Sequence, residues 1–232
     1  MALTDKLSNI ADAIRGKTGK TEEMTLDQMA TEINGIETGG GGDHTVEDGL
    51  VTRRLTEYSN DRVTSIGARA FYYALNLQQV SFPNVVSMGN AAFQESSISS
   101  FYFPKLETVG TSAFRGCKLV EAVLPSYNGT MPTFRENPNL EKVDVGDSTD
   151  ISASTFASCP KLSIVVLRRT ASIVPLSNVS AFSSTPFASG GTGGTVYCPS
   201  ALIEQYQQAT NWSTLYAAGT CNFVALEGSE YE

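Results

Sequence analysis

The central part of the chain repeats itself with a step of 21 or 22 residues. Three copies, residues 62–83, 84–104 and 105–125, align with almost no adjustment, and two degenerate copies follow at 126–145 and 146–167. One apolar position recurs in all five copies, at Leu77, Ile98, Leu119, Leu140 and Leu162. A unit this short cannot bury its apolar side chains alone, so the period predicts stacked coils that pack on their neighbours. The expected architecture is a solenoid.

Each copy ends in the pattern L-x-x-V-x-F, and its last two apolar residues share one face of a strand because side chains alternate along a strand. Two more columns keep the step: Val80, Phe101, Ala122, Val143 and Val165 in one, and Phe82, Phe103, Leu124, Val145 and Leu167 in the other. A further phenylalanine stands five residues after an apolar residue in four copies (Phe71, Phe93, Phe114 and Phe156), and the fourth copy departs from this spacing around Phe134. The sequence predicts an α/β repeat solenoid with parallel strands about 4.8 Å apart.

The segments SIGARAF (65–71), SMGNAAF (87–93) and TVGTSAF (108–114) share a glycine and an Ala-Phe pair. Together with the following L-x-x-V-x-F-P, they resemble the BspA-type leucine-rich repeat family. The resemblance implies a parallel β-sheet, and it covers residues 62–167 well and residues 168–199 poorly. Members of that family often carry a cysteine three residues after the phenylalanine, as at Cys117 and Cys159, which we expect to be buried and unreactive.

Three parts are predicted along the chain. Residues 1–38 form a two-helix segment, because Leu3, Leu7, Ile10 and Ile14 recur at helical spacing. The glycine-rich residues 39–45 form a linker. Residues 46–232 form the solenoid, with a strand that caps its first coil at 50–58 and a helical cap at 200–217, in which Trp212 packs on the terminal coil.

Several classes of function are disfavoured. GKTGKT at 16–21 is not a phosphate-binding loop, because Ile14 stands where the motif requires its first glycine. A net charge of -8 argues against nucleic acid and anionic membranes as partners. No apolar run is long enough to span a membrane, and no signal peptide is recognised. Four dispersed cysteines and one histidine, His44, form no metal or catalytic pattern, so we expect no cofactor, no metal and no enzyme.

Outward-facing strand positions are the candidate binding residues. Strand parity turns two files of side chains away from the core, from which we select Gln79, Ser81, Ser100, Tyr102, Glu121, Lys142 and Asp144. This mixture of aromatic, amide, hydroxyl and charged groups is typical of a surface that binds a protein or a carbohydrate. Tyr72 and Tyr73, beside Phe71, are second candidates.

Residues 11–35 resemble the short helical leader of tail and tail-fibre proteins of bacteriophages and prophages, and residues 56–71 and 206–216 resemble the flanks of repeats in such proteins. The resemblance implies a virion component, assembled in the host cytoplasm. Its N-terminal segment would bind other tail or baseplate proteins, and its solenoid would bind a protein or carbohydrate of the host surface. The apolar stripe of the first helix would either form a homotrimer seam or pack on the second helix.

Two other functions stay open at this point. One is a bacterial surface adhesin or protein-interaction module, which would require an export signal that the sequence lacks. The other, less favoured, is a hydrolase of cell-wall sugars.

Overall fold

A computed structural model of the chain describes residues 45–46 and 55–232. Three predicted parts of the chain lie outside these residues: the two-helix segment, residues 39–44 of the linker, which include His44, and residues 50–54 of the capping strand. Thr45, placed in the linker by the sequence, instead pairs with Ser65 in a parallel strand.

The described residues form twelve short strands: β1 Thr45–Val46, β2 Glu57–Ser59, β3 Ser65–Ile66, β4 Gln79–Ser81, β5 Ser87–Met88, β6 Ser100–Tyr102, β7 Thr108–Val109, β8 Glu121–Leu124, β9 Lys142–Val145, β10 Ile164–Leu167, β11 Gly194–Cys198 and β12 Cys221–Ala225. Two short helices, α1 Ile203–Gln208 and α2 Trp212–Ala217, and two 3-10 turns, Val179–Phe182 and Ser200–Leu202, complete the regular structure. All the strand pairs are parallel, as the repeat predicts.

The strands lie on two sides of the solenoid, and only the first coils have a strand on both. One side is a four-stranded sheet in the order β1-β3-β5-β7, and the other consists of β2-β4-β6 followed by the five strands from β8 to β12. Backbone bonds bridge these two groups, since Lys118 N–H donates to Ile98 C=O at 3.0 Å and Val120 N–H donates to Ser99 C=O at 3.1 Å. We call the combined surface of β2, β4, β6 and β8–β12 the long sheet. Pro83, Pro104 and Pro125 follow its strands closely and cannot donate to a ladder, so the chain leaves the sheet there.

The register of the long sheet confirms the predicted columns. Val80 lies opposite Phe101, and Ala122 lies opposite Val143, which lies opposite Val165. The five residues Leu77, Ile98, Leu119, Leu140 and Leu162 are all fully buried. Each coil therefore covers the apolar side chains of the next, and the core is continuous along the stack.

Phenylalanine rings form a second ladder inside the solenoid. The rings of Phe71 and Phe93 are 4.7 Å apart and nearly parallel, and the stack continues through Phe114, Phe134, Phe156 and Phe182. The fourth copy departs from the sequence spacing but still places Phe134 in this stack. At the far end, Trp212 packs 5.9 Å from Phe182 and donates its indole N–H to Val174 C=O, which confirms its predicted position.

The corners beside this ladder adopt an unusual backbone conformation. Residues two before and two after the phenylalanine have positive φ in most coils, as at Arg69, Ala91 and Ser112 before it and Tyr73, Glu95 and Glu136 after it. Non-glycine residues rarely adopt this conformation. Here their N–H groups donate to the next coil, for example Arg69 to Asn90 C=O at 3.0 Å and Tyr73 to Gln94 C=O at 3.1 Å. The coil-to-coil hydrogen bonds offset the backbone strain.

The C-terminal end of the solenoid differs from the sequence prediction. At the other end, the described residues of the predicted capping strand are 55–58, of which Glu57 and Tyr58 are in β2, which pairs with β4, and Tyr58 packs on Phe71 and Phe82. The predicted helix over 200–217 is divided, because Ala209 is extended and Asn211 has a φ of 67°. After the helices the chain returns to the long sheet as β12, a strand that the sequence analysis did not predict.

Candidate interaction surface

A shallow hollow of about 330 Å³ opens on the outer face of the long sheet, over β2, β4 and β6. Four of the seven predicted binding residues line it: Gln79, Ser81, Ser100 and Tyr102. The register explains this grouping, since Gln79 lies opposite Ser100 and Ser81 lies opposite Tyr102. Tyr102 is 57% exposed, the largest aromatic surface on this part of the sheet.

Five residues that line the hollow were not predicted as binding residues: Val80 and Phe101, which the sequence placed in a buried column, and Glu57, Tyr58 and Ser59 in β2. The segment that contains β2 lacks the repeat's apolar columns apart from Tyr58, so no register could be predicted for it. The motif TEYS alternates polar and aromatic side chains, and this alternation was the available signal. With β2 included, the outward file reads Glu57, Gln79, Ser100 and Glu121, and a second file reads Ser59, Ser81, Tyr102 and Val123.

Glu121 and Lys142 lie next to the hollow, on β8 and β9. They pair across the strands, with the Lys142 ammonium 2.8 Å from the Glu121 carboxylate. The Lys142 Nζ also lies 5.4 Å from the ring centre of Tyr231, within cation–π range. Both predicted residues therefore face outward as expected, and Lys142 already has two partners.

The carboxylate of Asp144 is not open to solvent. Asp144 is 8% exposed, and Arg168 donates to both of its oxygens, from Nε at 2.8 Å and from Nη2 at 2.9 Å. This bidentate pair raises the pKa of the Arg168 guanidinium, because the hydrogen bonds to Asp144 favour its charged form. In this arrangement Asp144 fixes Arg168 and does not itself face a ligand.

The second candidates, Tyr72 and Tyr73, lie at a corner of the coil of residues 62–83 and not on the long sheet. Their rings contact each other edge to face at 4.5 Å, and the Arg69 guanidinium lies 5.7 Å from the Tyr72 ring centre. Tyr73 is 53% exposed, almost as much as Tyr102. The structure therefore offers two separate aromatic surfaces.

The four cysteine thiols are all free and buried, as predicted for Cys117 and Cys159. Cys117 donates to Phe93 C=O and Cys159 to Phe134 C=O, both at 3.1 Å, so each fills the same corner of its coil. Burial raises the thiol pKa to about 12 in Cys117 and to about 11 in Cys159. Cys198 and Cys221 do not pair with each other, and burial raises the pKa of each to about 12.

We expect a thiol reagent such as DTNB to label none of the four cysteines of the folded chain at pH 8 and all four after denaturation. The thiolate is the reactive form, and in the unfolded chain its pKa returns to about 8.5. Because the folded pKa values are higher, the cysteines also make the folded state less stable as the pH rises above about 8.5. Rapid labelling of one thiol without denaturant would contradict this burial.

Within residues 45–46 and 55–232, no cluster of three or more potential metal ligands is found. Helices long and apolar enough to cross a bilayer are likewise absent from the part of the chain that the structure describes.

Comparison with known families identifies the class of the protein. The family model of the BspA-type leucine-rich repeat region, described as six copies, matches residues 64–186, more than half of the chain. The chain belongs to this family. No curated protein matches it.

The matched range extends to residue 186, beyond the predicted copies at 62–167 and into residues 168–199, which resemble the repeat poorly in sequence. The structure shows how the repeat continues there, since Ile151 bridges to Leu176 and Phe182 extends the phenylalanine stack. Ala181-Phe182 repeats the Ala-Phe pair of the first three copies, and this pair was the available signal.

Proposed function

We propose that this chain is a non-catalytic binding protein whose ligand contacts the outer face of the long sheet around Tyr102. Membership of a repeat family that serves interaction and adhesion supports a binding role. The observation that carries the proposal is the hollow over β2, β4 and β6, where hydroxyl, amide and carboxylate groups surround one largely exposed tyrosine. On such a surface the Tyr102 ring can stack on a ligand, and the surrounding polar side chains can hydrogen-bond to the edge of that ligand.

The setting we propose is the tail of a bacteriophage or prophage, where the protein would contact the host cell. The support is the resemblance of residues 11–35 to the leader of tail and tail-fibre proteins, together with the flanking segments 56–71 and 206–216. In this proposal the N-terminal segment binds other tail or baseplate proteins, and the solenoid binds a host protein or carbohydrate. The competing setting is a bacterial surface adhesin or interaction module.

We expect Tyr102→Ala to weaken binding of the full chain to host cells at least tenfold, a loss of about 1.4 kcal/mol. The measurement is binding of the fluorescently labelled chain to a panel of bacterial cells. Tyr216→Ala is the matched control, because Tyr216 is also exposed, at 42%, but lies in α2 and packs on Phe223.

Tyr73→Ala separates the two aromatic surfaces. If Tyr73→Ala abolishes cell binding and Tyr102→Ala leaves it unchanged, the ligand binds at the corner and the assignment to the long sheet is wrong.

Immunolabelling tests the proposed setting. Antibodies against the chain should label the tails of phage particles in an induced lysate of the bacterium that carries the gene. Label found on intact cells and absent from particles would favour the surface adhesin.

A further inference from the structure

The outer face of the long sheet changes character between β8 and β9. Tyr102 and Val123 are 57% and 42% exposed, whereas Asp144 and Val166, which continue the same file, are 8% and 0% exposed. Strand parity turns all four side chains outward. Something therefore covers the second half of the file and leaves the first half open.

The covering group is the segment 226–232, which follows β12. Its Tyr231 ring lies 4.6 Å from the ring of Tyr197 in β11 and 5.4 Å from Lys142 Nζ in β9. The strand between these two contacts is β10, which carries Val166. The Tyr231 ring thus contacts side chains from the two strands on either side of Val166.

Tyr231 is held by its backbone as well as by its ring. Arg168 Nη2 donates to the Tyr231 carbonyl at 2.7 Å, and the same guanidinium is fixed by its two bonds to Asp144. Tyr197 offers an edge-to-face ring contact and Lys142 a cation–π contact. These groups contact the ring and the carbonyl of the same tyrosine, so together they recognise one residue of a turn segment.

The start of the segment is anchored, since Leu226 N–H donates to Cys198 C=O at 2.9 Å and Ser200 N–H donates to the Glu227 carboxylate at 2.9 Å, and the residues after it are attached mainly through Tyr231. None of the residues 226–232 is buried, whereas β12 just before it contributes Cys221 and Phe223 to the core. Several of its polar groups bond within the segment, such as Ser229 Oγ to Leu226 C=O and Gly228 N–H to the Glu232 carboxylate. Displacing residues 228–232 would therefore expose the outer-face residue Val166 but none of the side chains that stack between the coils.

We propose that Lys142, Arg168 and Tyr197 form a tyrosine-binding site on the long sheet, distinct from the hollow around Tyr102, and that residues 226–232 occupy it in the free protein. A peptide segment that presents a tyrosine competes with Tyr231 for this site. The proposal does not depend on the ligand of the hollow or on the phage setting.

The test supplies the segment as a separate molecule. A fluorescein-labelled peptide with the sequence of residues 226–232 is titrated into the full chain and into its Tyr231→Ala variant, and fluorescence anisotropy is measured. We expect at least tenfold tighter binding to the variant, because its own segment no longer fills the site.

The same peptide with alanine in place of tyrosine should not bind, and Tyr197→Ala combined with Tyr231→Ala should weaken binding of the tyrosine peptide. Tyr216→Ala combined with Tyr231→Ala should leave it unchanged.

A second measurement verifies that Tyr231→Ala opens the site. Lysines are acetylated with an amine-reactive reagent such as acetic anhydride, and the acetylated fraction of each is measured by mass spectrometry. The fraction should increase at Lys142 in the variant and stay constant at the exposed Lys118. Equal peptide affinity for parent and variant, equal affinity for the tyrosine and alanine peptides, or unchanged Lys142 acetylation would each overturn the proposal.

Discussion

Replacing Leu119 with alanine should lower the free energy of unfolding by about 2 to 5 kcal/mol. Leu119 is fully buried in the middle of the solenoid, in the column that also contains Ile98 and Leu140. The substitution removes apolar contacts on both sides, and a close-packed core collapses only partly around the cavity. Because each coil is stabilised mainly by its neighbours, the loss should extend to the adjoining coils.

The measurement for Leu119→Ala is urea unfolding followed by circular dichroism. Tyr102→Ala is the control, since this residue lies on the same sheet but faces outward, and its stability should stay within about 0.5 kcal/mol of the parent. If Leu119→Ala unfolds at the same urea concentration as the parent, the register of the buried column is wrong.

Gly110→Ala should destabilise the fold by about 3 kcal/mol, for a different reason. A Cβ atom on Gly110 would lie 2.4 Å from the backbone N of Asn90 and 2.4 Å from the carbonyl carbon of Gly89. These are backbone atoms of the preceding coil, so no side-chain rotation relieves the contact. Gly89 faces the same restriction, with Ala68 N at 2.5 Å from its hypothetical Cβ. The repeated glycine therefore marks where successive coils approach most closely.

The fifth copy provides a matched control for Gly110→Ala. Ser152 holds the position of the repeated glycine there, directly after Ile151, so the solenoid already accepts a Cβ in that coil. Ser152→Ala removes only a hydroxyl that donates to Asp150 at 3.2 Å, and we expect a loss within about 1 kcal/mol. Thermal unfolding of the two variants compares them directly. Equal melting temperatures for Gly110→Ala and the parent would show that the coils can separate at this point without cost.

The sequence anticipated the hollow only in part. Gln79, Ser81, Ser100 and Tyr102 belong to two regular copies, so their register followed from the repeat, and the structure brings them together. Glu57 and Ser59 lie before the first recognisable copy, where no column fixed the register. Their place beside the hollow comes from pairing of β2 with β4.

Asp144 shows the limit of strand parity. Its outward position was correct, but parity says only which way a side chain points and not what lies over it. Arg168, 24 residues later, and Tyr231, 87 residues later, decide its surroundings. No local pattern connects residues at such separations.

By itself, the sequence determined the repeating coil, the buried columns and the parallel strands, because a fixed step places equivalent side chains in contact whatever the details of each corner. Tertiary structure alone decided which part of the long sheet is open. Segment 226–232 covers β9 to β11 through contacts with residues far away in the chain. The left-handed backbone conformations at Arg69 and Tyr73 exist because hydrogen bonds to the next coil outweigh their strain. Both depend on partners that come together only when the coils stack.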